Sequence, residues 1–151
     1  YLSYLTDFEE FKPVKAQKTL ANAIQIGDPV SYKKAINVLK TFHGIVEQAT
    51  EDELANASAQ ADKTGLFSCP HTGVALAVLI KLLKGKMIRP EEKVVVISTA
   101  HGLKFPEFKI DYHENKLDEV TSRFANLPVE VPPQYDAVRT AIYRKLEKIS
   151  G

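Results

Sequence analysis

Two hydroxyls followed by a glycine turn are the groups in this chain best placed to meet a ligand. Ser98-Thr99-Ala100-His101-Gly102 follows directly on Lys93-Val94-Val95-Val96-Ile97, a continuous apolar run of strand length. Such a run suits a parallel strand covered on both faces. In open α/β sheets, ligands bind beyond the carboxyl ends of the strands. The chemistry on offer at Thr99 is a neutral hydrogen bond, donated or accepted. The alternative is that Ser98 and Thr99 end the strand by bonding to backbone. Lys104 lies in the same stretch, either as a cation for a phosphate group or as a solvated lysine.

Other reactive side chains form no constellation of their own. Cys69 and His71 flank Pro70, and a lone cysteine reads as packing. The histidines are His43, His71, His101 and His113; with Cys69 they lack zinc spacing, so no metal is expected. No two of the glycines are close enough for a dinucleotide fingerprint or a P-loop, and no nucleophile elbow is present.

The elements that must position Thr99 can be read from caps and periodicity. Asp28-Pro29 predicts a helix start, with Asp28 as cap rather than catalytic acid. Ala35, Val38, Leu39 and Phe42 follow at helical spacing, and Gly44 is the stop. Gly27 reads as a strand-to-helix turn. Ile45-Val46-Glu47 predicts a short strand. Thr50-Glu51-Asp52-Glu53 is a capping-box pattern, with Leu54, Ala57 and Ala61 inward and Gly65 ending the helix. Pro70-His71-Thr72-Gly73 opens an apolar helix to Leu83, stopped at Gly85. Signals from Phe105 to Pro133 are mixed. Tyr135, Val138, Ile142, Leu146 and Ile149 predict a terminal amphipathic helix over about 134–150. Strands alternating with helices argue an α/β class. About three strands are few for a sheet covered on both faces. The expectation is therefore a partial open, mostly parallel sheet with flanking helices, completed by a larger protein.

Composition sets the outer limits. The chain has 151 residues, 44% hydrophobic and 26% charged, with 20 Lys plus Arg against 19 Asp plus Glu and a net charge of +1. That is an ordinary globular balance for about one domain. There is no basic run to suggest nucleic acid, and the longest apolar stretch, Val74 to Leu83, is too short for a membrane span. One cysteine fits a reducing compartment. The opening Tyr1-Leu2-Ser3-Tyr4-Leu5 reads as mid-domain sequence.

Several segments then point to a family. Ile97-Ser98-Thr99-Ala100-His101-Gly102-Leu103-Lys104-Phe105 resembles the end-of-strand motif of threonine synthases. Ala23 to Ser31, Glu9 to Ala16 and Cys69 to Leu76 are similar to other segments of that family. The wording of these blocks, with Lys109 to His113, resembles the plant-type enzymes most. The resemblance runs in order over nearly the whole chain.

It implies the C-terminal portion of a fold type II, tryptophan-synthase-β-like enzyme. Such an enzyme uses pyridoxal phosphate (PLP) to convert O-phospho-L-homoserine and water to L-threonine and phosphate. The family's end-of-strand threonine, matched by Thr99, hydrogen-bonds the pyridine nitrogen. Ile26 and Gly27 match a segment beside the cofactor, where glycine lets backbone approach a flat ring. The Schiff-base lysine and the phosphate loop precede this region in the family, so no catalytic residue and no covalent cofactor anchor are expected in this chain. The resemblance further implies a homodimer, a chloroplast setting and, in plant members, regulation by S-adenosylmethionine. The alternative is a non-enzymatic interaction module derived from threonine synthase.

Overall fold

The computed structural model describes residues 1–150, with side chains as far as Glu147. Its helices are α1 (Leu2–Leu5), α2 (Tyr32–Thr41), α3 (Glu51–Asp62), α4 (Pro70–Lys84), α5 (Pro106–His113) and α6 (Tyr135–Ser150), with 3-10 turns at Asn22–Ile24 and Gly102–Lys104.

Helix α3 is the centre of the structure. Its capping box forms as the sequence predicts: the Glu53 N–H donates to Thr50 Oγ1 at 3.2 Å, and the Thr50 N–H donates to Glu53 Oε2 at 2.8 Å. Three acids in its first turn complement the helix dipole. Gly65, at φ +89°, sits in the turn beyond its end, a conformation that costs glycine little. Six consecutive residues, Leu54 to Ala59, are buried, so α3 is enclosed all round rather than along one stripe. Small side chains allow this. Leu54, Ala55 and Ala59 join Ala21 and, from α5, Phe108 and Tyr112 in one apolar cluster.

Helix α4 begins at Pro70 and is capped at its far end by Gly85, whose N–H donates to the Lys81 carbonyl at 2.8 Å, both as expected. It lies tightly on α3. A Cβ built on Gly73 would stand 2.5 Å from the Leu54 carbonyl oxygen and 3.2 Å from Ser58 Cβ. Gly73→Ala should therefore force the helices apart and cost about 1–3 kcal/mol, the usual range for overpacking. Urea denaturation checks this, and an unchanged midpoint would mean that the α3–α4 contact yields freely.

Two expectations need correction. Helix α2 starts three residues later than Asp28-Pro29 suggested: Ser31 is its N-cap, without a side-chain cap bond, and Asp28 is exposed. Its inward face is also turned. Tyr32, Ile36 and Leu39 are half-buried, whereas Val38 and Phe42 are exposed. Phe11 stacks on Tyr32 with ring centroids 3.9 Å apart, which rotates the helix toward its aromatic neighbour.

No strand forms among the described residues. The segments 45–47 and 93–97 are irregular, and Ala23 lies in a 3-10 turn. The β pairing that exists is one antiparallel bridge, Ser68 with His101. A strand is held by its neighbours' backbone groups, and no neighbour within this stretch reaches 93–97. Val95 is accordingly 88% exposed and Ile97 75% exposed. The terminal helix does form over the expected range as α6; of its expected apolar positions, the Ile149 side chain lies outside the described residues.

Candidate functional site

The N-terminus of α4 gathers the hydroxyl and sulfur side chains of the site. Cys69 is the N-cap, its sulfur accepting the Thr72 N–H at 3.4 Å. Pro70 suits the first helical position because its missing N–H would have no partner there. Cys69 Sγ also lies 3.2 Å from Thr72 Oγ1 and 3.7 Å from Thr99 Oγ1. Thr72 Oγ1 in turn lies 3.3 Å from Ser98 Oγ. The partners of the Ser98 and Thr99 hydroxyls are therefore side chains of α4 and its cap, rather than the backbone that a plain strand ending would use. Cys69 is fully buried and Thr72 nearly so, whereas Ser98 and Thr99 are exposed. The arrangement is a buried sulfur with a rim of two hydroxyls.

The electrostatics of Cys69 follow from this packing. Burial alone would push its thiol up. Hydrogen bonds from the Thr72 side chain and backbone, from His71 and from Thr99 outweigh burial and bring it down to about 6. His71 has a second task, because its Nε2 accepts the Ala23 N–H at 2.9 Å. That places its ring proton on Nδ1 and ties the 22–24 turn to α4. The His71 ring also packs edge-on against Phe105, 5.1 Å between centroids.

Beneath the rim lies a second polar cluster. Lys109 of α5, only 6% exposed, donates from Nζ to Ser58 Oγ at 2.8 Å and pairs with Asp62 of α3. Ser58 and Ser68 share a hydroxyl contact at 3.1 Å, and the Ser68 N–H donates to Asp62 Oδ1 at 3.0 Å. Burial pulls the Lys109 ammonium down, against the Asp62 carboxylate and the negative charge at Cys69. Gly102 closes over this cluster: a Cβ there would stand 2.8 Å from the Phe67 ring and 2.9 Å from Lys109 Cε.

Sequence-predicted residues divide between this constellation and other places. Thr99 is in it. Gly27 uses its bare backbone elsewhere, since a Cβ would fall 1.8 Å from the Val14 carbonyl oxygen; its own carbonyl accepts the Val14 N–H at 3.0 Å. Ile26 is 62% exposed. His101 Nδ1 accepts the Leu103 N–H at 3.2 Å and so starts the 3-10 turn, and Lys104 is exposed. Sequence reasoning missed Thr72 and Lys109. Thr72 had a usable signal, because residue three after a cap is the one whose N–H the cap receives. Lys109 had none. Among the described residues, no group of three or more His, Cys, Asp or Glu side chains could hold a metal ion, and no helix is long and apolar enough to cross a membrane.

A family profile described as "Pyridoxal-phosphate dependent enzyme" matches residues 4–100. The chain belongs to this pyridoxal-phosphate-dependent enzyme family. Membership gives it an α/β class and implies PLP as cofactor of the complete enzyme. Among similar proteins, "Threonine synthase 2, chloroplastic" of Arabidopsis thaliana is 51% identical over 97% of this chain and 29% of its own length. A threonine synthase of Methanosarcina acetivorans is 33% identical over 88% of the chain and 30% of its own length. One from Methanocaldococcus jannaschii is 37% identical over 70% and 26%. The chain spans less than a third of the length of these relatives.

The donor set fits one edge of the family's cofactor. A pyridine nitrogen needs one directed hydrogen-bond partner, and Thr99 offers an exposed hydroxyl held from behind by a buried group. The α4 constellation supplies no amine of its own, since the nearby Lys109 amine is committed to Ser58 and Asp62.

Proposed function

We propose that this chain is the C-terminal portion of a threonine synthase, which in complete form converts O-phospho-L-homoserine and water to L-threonine and phosphate with PLP. The observation that carries this reading is the 51% identity to the Arabidopsis synthase across 97% of the chain. The exposed, braced Thr99 hydroxyl is its geometric counterpart.

Bound PLP supplies the electron sink for the chemistry. In this reading Thr99 meets its ring nitrogen, and Ile26 and Gly27 form the neighbouring wall, brought nearer when the sheet is complete. The Schiff-base lysine comes from sequence outside these 151 residues, so this chain alone turns over no substrate. The exposed apolar run 93–97 pairs as a parallel strand in a sheet built with the rest of the enzyme. The complete enzyme is a homodimer in the chloroplast. A non-enzymatic module would also want a partner for that run, but sheet completion accounts for it and for Thr99 together.

The test is Thr99→Asp in the full-length enzyme. A carboxylate beside the ring would stabilise a positive charge there that a neutral hydroxyl does not. Hydrogen bonds to charged groups are worth about 1.5–3 kcal/mol, so phosphate release from O-phospho-L-homoserine should fall by roughly ten- to a hundredfold. The visible spectrum of the cofactor should change with it. If turnover and spectrum both match wild type, Thr99 does not touch the cofactor.

A further inference from the structure

We propose that Cys69 is a positioning residue for Thr99: its sulfur takes the proton of the Thr99 hydroxyl in a hydrogen bond and so presents the Thr99 oxygen outward as an acceptor. This rests on the cofactor reading of Thr99 and deepens it, because an outward acceptor selects a ring nitrogen that carries a proton.

The geometry supports the direction of the bond. Around the fully buried sulfur stand the Thr72 N–H at 3.4 Å, the Thr72 hydroxyl at 3.2 Å and the Thr99 hydroxyl at 3.7 Å, with His71 adding a ring hydrogen bond. All of these groups can donate. A thiolate is an acceptor only, so one there satisfies the whole set, whereas a thiol adds a further donor to a site already rich in them. The α4 N-terminus favours negative charge at that point. The charged or titratable groups bearing on the sulfur are His71 from α4 and Lys109 from α5, the latter paired with Asp62 of α3. Once the Thr99 proton points inward, its lone pairs face the exposed side.

The experiment uses the full-length enzyme, wild type and Cys69→Ser. Serine keeps the N-cap acceptor and does not ionise, so the variant removes the charge while preserving the helix start. Without cofactor, the ultraviolet difference spectrum between the two proteins should titrate as a thiolate with a midpoint near pH 6. With cofactor, Cys69→Ser should change the pH profile of the visible absorption in the same direction as Thr99→Ala. It should add nothing in the Thr99→Ala background, which a merely structural role for Cys69 would not produce. A thiol titrating at its ordinary ~8.5 overturns the proposal, even if the variant folds poorly. So does an unchanged visible pH profile in Cys69→Ser alongside a changed one in Thr99→Ala; that result leaves the cofactor reading standing. If Thr99→Ala also changes nothing, the cofactor reading falls and takes this proposal with it.

Discussion

Replacing Lys109 by methionine should destabilise the protein by about 3–5 kcal/mol, the range for removing one partner of a buried ion pair. The loss is not one of volume, because methionine fills most of the lysine stem. It comes from Asp62, whose carboxylate is 13% exposed and would face the interior without its cation. The Ser68 N–H at 3.0 Å still reaches Asp62 Oδ1, but one amide does not balance a buried charge. The ammonium also lies 4.8 Å from the Phe67 ring centroid, a further favourable contact that methionine lacks. Pairing the change with Asp62→Asn should recover much of the loss, since it removes the stranded charge. Urea denaturation of the single and double variants checks both. A single variant within about 1 kcal/mol of wild type would mean that water already solvates Asp62.

The second large effect is expected at Asn56, which is 4% exposed on α3. Its Nδ2 donates to the Asp52 carbonyl at 2.8 Å and to the Thr121 carbonyl at 3.0 Å. Its Oδ1 accepts the Tyr112 hydroxyl at 2.8 Å and the Arg123 N–H at 3.0 Å. Thr121 and Arg123 are further held by Asp52, through a 2.9 Å bond to the Thr121 N–H and an ion pair to Arg123. One amide thus joins α3, α5 and the connection after α5. Asn56→Leu keeps the size and strands several buried donors and acceptors at about 1–3 kcal/mol each. The sum should fall near 3–5 kcal/mol, because such losses are not additive within a network. The connection over 117–124 should also detach, and trypsin should cut faster after Lys116 and Arg123. Wild-type midpoints together with wild-type cleavage rates would show that the apolar contacts of Leu117, Val120 and Phe124 hold the connection without Asn56.

What could be read from the sequence was mostly what neighbours in the chain decide. The Thr50–Glu53 box, the Pro70 start and the Gly85 stop depend on residues within one or two helical turns, and each is found where it was expected. Thr99 could be placed from the apolar run before it and from family likeness. Helix α2 was misread because its cap and inward face answer to Phe11, twenty-one residues before Tyr32 in the chain. The strand at 93–97 has the right composition, but a strand is a relation between two segments and no second one within this stretch pairs with it. Lys109 and Asn56 were illegible for the same reason. Their partners lie 47 to 67 positions away, and a lysine or an asparagine on a helix gives no local sign that it faces inward. Ile26 and Gly27 show the converse, a segment matched by likeness whose own contacts here run to Val14.

The bare run Val94-Val95-Val96-Ile97 carries a hazard of its own. It has no proline, no internal charge and strong β preference, the composition that promotes irreversible self-association when a segment stays exposed. In a nascent chain that risk lasts until a neighbouring strand arrives, and such long-range pairing is slow. Glu91, Glu92 and Lys93 stand immediately before the run, charged guards of the kind that flank unavoidable sticky strands. The segment that leads to Thr99 is thus also the part of the chain most in need of prompt shelter during synthesis.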